Sequence, residues 1–135
     1  MREHNDNVNR LLQYTPEDGP PLRWLKTQAR YVRARLNGHA LVTTWLPGGR
    51  SLAVDYVFAV RNESIVLQGR LEDGKELHVS TQPDAVMLEI RAAPEDAKCA
   101  VFAFIGLSRT PQPLIDCTLE KSHKDPDDEE QGHHG

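Results

Sequence analysis

No stretch of this 135-residue chain is apolar for the length a bilayer requires. Met1 to Arg10 is polar and lacks a hydrophobic centre, so no secretory signal is expected there. Cysteine is scarce. Cys99 and Cys117 are the chain's two cysteines, and their spacing fits neither a zinc site nor a redox motif. Without an export signal they are expected to be buried, reduced thiols, and the cytoplasm is the expected location. Several motifs are missing as well: a Gly-rich phosphate loop, His-Glu-x-x-His, a nucleophile elbow and Cys-x-x-Cys. Acid is missing locally. Between Gly19 and Val54 there are six basic residues and no acidic one, in a chain whose net charge is −4.

What is present is period-two alternation. From Leu52 to Val60, the residues Leu52, Val54, Tyr56, Phe58 and Val60 fall on one face of a strand, and Ala53, Asp55, Val57 and Ala59 on the other. A second run places Ile65, Leu67, Gly69 and Leu71 together. A two-residue turn at Asn62-Glu63 pairs Val60 with Ile65 and Phe58 with Leu67. A three-residue loop, Glu72-Asp73-Gly74, then sets Leu67 opposite Val79 and Gly69 opposite Leu77, with Gly74 left-handed. A turn from Gln82 to Ala85 would bring Val79 opposite Leu88 and Leu77 opposite Ile90. In that register Asp55, Arg70, Glu76 and Arg91 form one row of alternating sign, a charge ladder that fixes register.

Upstream, residues 1–21 read as a polar segment, with a short helix near Val8 to Gln13 and a loop rich in Pro and Gly. Leu22 to Leu36 fits a helix throughout, or a helix to Ala29 followed by a strand over Arg30 to Leu36. Asn37-Gly38, a strong hairpin signal, favours the second reading. A strand follows from His39 to Leu46, with its facing undecided. Downstream, Cys99 to Leu107 is apolar on both sides, so it is central or lies in an interface through Phe102 and Phe104. Thr110 to Pro113 should end it, and Leu114 to Leu119 could add an edge strand. Residues 120–135 are acidic and almost without apolar side chains, the composition of a disordered tail. The expected fold is mainly β: a small antiparallel barrel or sandwich of about six or seven strands, with one short N-terminal helix, over residues 22–119.

Candidate chemistry is thin. Asp55 could meet His78 or His39, but all three fall on the expected outer sheet face, which gives a general base no shelter. His123, His133 and His134 lie in the tail, where no fixed geometry is expected, so neither a metal nor another cofactor is expected. The chain is therefore expected to be a non-enzymatic regulatory or adaptor protein. Its expected partner is another protein or a second copy of itself. The alternative is RNA or DNA. Arg23, Lys26, Arg30, Arg33, Arg35 and Arg50, interleaved with Trp24, Tyr31 and Trp45, could hold phosphates and stack bases.

Arg30, Arg33 and Arg35, followed at a distance by Asn62-Glu63-Ser64, resemble the two motifs of PilZ domains. That family's pattern is Arg-x-x-x-Arg, then Asp/Asn-x-Ser-x-x-Gly. Here the arginine spacing differs, and Leu67 stands in the glycine's place. The resemblance implies a small barrel related to cyclic di-GMP binders, in which nucleotide binding has been lost.

Overall fold

Two consecutive prolines start the chain's long helix, and an asparagine-glycine pair ends it. In the computed structural model, which describes residues 10–116, α1 runs unbroken over Pro20–Leu36. Proline is suited to a first turn, because the N–H it lacks would have no helical partner there. Leu25, Ala29 and Val32 recur at helical spacing and are buried. Asn37 takes the left-handed conformation (φ 55°), and the Gly38 N–H returns to the Val32 carbonyl at 3.1 Å. The strand expected over Arg30 to Leu36 does not form. Asn-Gly supplies left-handed backbone to a helix stop as readily as to a hairpin, and here it caps the helix.

Seven strands follow among the described residues: β1 (Ala40–Trp45), β2 (Ser51–Val60), β3 (Ser64–Leu71), β4 (Glu76–Thr81), β5 (Leu88–Ala92), β6 (Val101–Ile105) and β7 (Pro111–Ile115). The fold is mainly β, as expected. The strands make one sheet of order β4-β3-β2-β1-β5, from which β6 branches at β2 and carries β7. The sheet stays open, so the expected barrel does not close. Ten-residue β2 lets it fork: β1 pairs with Ser51 to Val54, and β6 runs parallel to Tyr56 to Val60. The β3–β4 register is the expected one, with Leu67 opposite Val79, Gly69 opposite Leu77 and Gly74 left-handed (φ 90°). β5 does not pair with β4. It crosses to β1, with Val42 opposite Ile90 and Thr44 opposite Leu88.

A bulge at Asp55 overturns the expected facing of β2. Pairing with β3 passes from Val54–Gly69 directly to Tyr56–Gln68, so the extra residue inverts the alternation beyond it. Leu52 and Val54 are buried before the bulge, and Val57 and Ala59 after it. Tyr56 and Phe58 are carried to the opposite face. The turn into β3 is accordingly three residues, Arg61-Asn62-Glu63, with Arg61 at φ 51°, and Phe58 lies opposite Val66 rather than Leu67. Gly69 permits the bulge, since a Cβ there would overlap the Ala53 carbonyl.

The core is one cluster running from Leu12 through Leu25, Val32, Leu52, Val57, Ile65 and Leu67 to Phe102 and Ile115. α1 packs against β2, β6 and β7. β7 begins earlier than expected. Its prolines are tolerated because, among the described residues, β7 pairs with β6 alone, at an edge. Cys99 is buried and disulfide-bonded, which corrects the expectation of reduced thiols. The other cysteine, Cys117, lies outside the described residues, as does the acidic tail; of the short helix expected near Val8 to Gln13, Arg10 and Leu11 are helical among the described residues.

Candidate functional site

The basic residues of α1 do not form one open stripe. Lys26 is buried, and its ammonium lies 2.9 Å from Asp18 Oδ2 and donates to the Gln13 carbonyl at 2.7 Å. Tyr14 sits between two guanidinium groups, with Arg23 and Arg30 lying 5.0 and 4.9 Å from its ring centroid. Such contacts hold a cation over the negative face of a ring. The Tyr14 hydroxyl is 2.8 Å from Thr27 Oγ1, and Arg30 Nη1 donates to the Leu12 carbonyl at 3.0 Å. Three of the six candidate cations therefore fasten the segment before α1 onto the helix.

Arg30 and Arg33, with Leu12, Gln13 and Ala34, line an open groove of about 540 Å³. Arg35 is exposed in the helix's last turn, where Arg33 and Arg35 both complement the helix dipole. Arg50 stands apart from this group, in the β1–β2 turn beside Glu72 and Asp73. Charge is thus concentrated at Arg30, Arg33 and Arg35, and the six residues do not converge on one site.

A second surface lies on the sheet face turned away from the core. Cross-strand partners share a face, so the registers place Tyr56 with Gln68 and Val101, Phe58 with Val66 and Ala103, and Val60 with Ile105. Ala103 and Ile105 are in turn opposite Pro113 and Pro111. Tyr56 and Phe58 stack with ring centroids 5.5 Å apart. Tyr56, Phe58, Val60, Val66, Val101 and Ile105 are half-buried, and none belongs to the core cluster. This apolar face comes from the Asp55 bulge, which the alternation concealed. Phe102, the expected interface residue, is fully buried in the core, and Phe104 packs half-buried against that core. The residues of β6 on the outward face are Val101, Ala103 and Ile105, of which Ala103 is covered.

The remaining candidates are held by neighbours or lie apart. Asp55 takes two hydrogen bonds from Arg70, both at 3.2 Å. His78, on β4, is separated from Asp55 by β3, and His39 lies just before β1. Among the described residues no group of three or more His, Cys, Asp or Glu could hold a metal ion. His123, His133 and His134 are outside those residues. Asn62 accepts a hydrogen bond from the Gly19 N–H at 2.9 Å and so ties the β2–β3 turn to the start of α1. Leu67, in the position of the PilZ glycine, is core.

Fold and surfaces together define, among the described residues, a mainly β domain with one long helix, whose sheet carries a second apolar face. Set beside known protein families, curated proteins and solved structures, the chain matches none. No helix among the described residues is long and apolar enough to cross a membrane.

Proposed function

We propose that this is a non-catalytic regulatory or adaptor protein whose partner is another protein, engaged through the far face of the sheet. The supporting observation is the block of Tyr56, Phe58, Val60, Val66, Val101 and Ile105, which spans β3, β2 and β6 outside the core cluster. Contiguous apolar surface with aromatic centres is the composition of interface cores. The rival reading, a nucleic acid or nucleotide held by the basic segment, keeps Arg30, Arg33 and Arg35 but loses Lys26 to its buried ion pair. A cytoplasmic location has no support from the cysteines, since disulfides persist in oxidising compartments.

The test is affinity capture with three proteins in parallel: wild type, Phe58→Asp, and the double variant Arg30→Glu/Arg33→Glu. A partner that survives nuclease, is lost with Phe58→Asp and is kept by the arginine variant supports the reading. Capture that vanishes with nuclease or with the arginine variant, but survives Phe58→Asp, overturns it in favour of nucleic acid.

A further inference from the structure

The free edge of β5 carries a self-complementary pattern. β5 pairs with β1 alone, so its other edge is open among the described residues. The direction of its backbone groups follows from one bond. The Ala93 N–H donates to the His39 carbonyl at 3.1 Å, which makes that pair a hydrogen-bonded one. Hydrogen-bonded pairs alternate along an antiparallel ladder. Thr43–Glu89 and Leu41–Arg91 are then bonded as well, and the N–H and C=O groups of Leu88, Ile90 and Ala92 point away from β1.

We propose that β5 pairs antiparallel with β5 of a second copy of this chain, about a two-fold axis at Ile90. That register sets Ile90 opposite Ile90 and Leu88 opposite Ala92, and each of these pairs presents its outward N–H and C=O to its counterpart. On the core side, Leu88 and Ile90, half-buried in one copy, continue the core into the next. On the other side, Glu89 of each copy faces Arg91 of its mate. Both side chains are exposed, and neither makes an ion pair among the described residues. Met87, 76% exposed, comes opposite Ala93 of the mate.

The other edges are less suited. β7 carries Pro111 and Pro113, each of which removes a donor. Mirror pairing of β4 about its middle sets His78 against His78 and Glu76 against Ser80, with no charge match. Antiparallel edge pairing puts the two-fold axis normal to the sheet. Both copies then show their Tyr56–Phe58 faces on the same side, as a bivalent surface. The inference concerns the edge and stands independently of the partner proposed for the face.

Sedimentation equilibrium on the full chain, with circular dichroism to confirm folding, is the test. Wild type should reach twice the 15.2 kDa mass of one chain as concentration rises. Glu89→Arg or Arg91→Glu turns both cross-strand pairs repulsive and should weaken the dimer about tenfold or more. Mixing the two single variants restores both attractions, and a heterodimer should form. The double reversal in one chain should dimerise like wild type. A wild type that stays monomeric up to the millimolar range overturns the proposal, as does a dimer indifferent to charge reversal. A dimer broken by Phe58→Asp instead would place the contact on the sheet face and would equally overturn it.

Discussion

The Lys26 ammonium lies 2.9 Å from Asp18 Oδ2, and the two side chains are 8% and 3% exposed. Asp18 also accepts from the Thr15 N–H and hydroxyl, both at 2.8 Å. The loop before α1 is thereby latched to the helix by a sealed ion pair. Removing one partner leaves the other charge buried. Asp18→Asn should destabilise the domain by about 3 kcal/mol, measured by urea unfolding. The double change Asp18→Leu/Lys26→Met should cost less than either single removal, because no charge is stranded.

The same pair sets an acid limit. Burial pushes the Asp18 carboxyl up, but the Thr15 N–H, the Lys26 contact and the Thr15 hydroxyl outweigh it and hold the carboxyl below its ordinary value. A lowered native value means that the stabilisation is complete above about pH 4, where the unfolded carboxyl is already ionised. It is lost as pH falls through the lower native value. Melting temperature followed from neutral to acid pH should show this loss in wild type and a smaller one in Asp18→Asn. Equal acid slopes would mean that Asp18 contributes nothing to the limit.

Gly69 faces the Asp55 bulge across the β2–β3 ladder. Its Cβ would overlap backbone at Ala53 and Val54, which cannot move aside as a flexible side chain can. Gly69→Ala should lower stability by about 2 kcal/mol, with an unchanged denaturant m-value. A neutral Gly69→Ala would contradict the close approach.

The bulge also marks where the sequence stops being legible. The β3–β4 loop could be read because Gly74 and the paired rows Leu67–Val79 and Gly69–Leu77 all demand one register. In β2, Val57 and Ala59 are apolar enough to be core, and Tyr56 and Phe58 are apolar enough to hide the inversion. Of the expected charge row, Asp55–Arg70 is an ion pair and Arg70 lies opposite Glu76, whereas Arg91 went with β5 to β1. Adjacency in sequence gave no sign of that crossing. The pairing of Lys26 was hidden for a local reason: the acid that neutralises it is Asp18, one residue before the acid-free stretch begins.

The cysteine assignment can be tested directly. Because Cys99 is disulfide-bonded, protein denatured without reductant should give no thiol colour with a thiol-reactive dye. Reduction removes that cross-link and should lower stability by about 3 kcal/mol. Two free thiols in oxidised protein would restore the reading of reduced cysteines and, with it, a reducing compartment.

The two faces of the sheet should respond oppositely to charge. Leu67 is 1% exposed within the core, and Leu67→Asp buries a charge with no partner, so it should unfold the domain. Val66, the preceding residue, points to the far face, and Val66→Asp should cost about 1 kcal/mol and leave the fold intact. Phe58 is the sharper probe. Uninterrupted alternation through β2 would put it in the core beside Leu52 and Val54, whereas the bulge puts it opposite Val66 on the far face. Phe58→Asp should therefore melt cooperatively, near the Val66→Asp variant, with native far-UV circular dichroism. Were it instead to unfold the domain as Leu67→Asp does, Phe58 would be interior. The apolar face would then be part of the core, and the surface proposed for the protein partner would not exist.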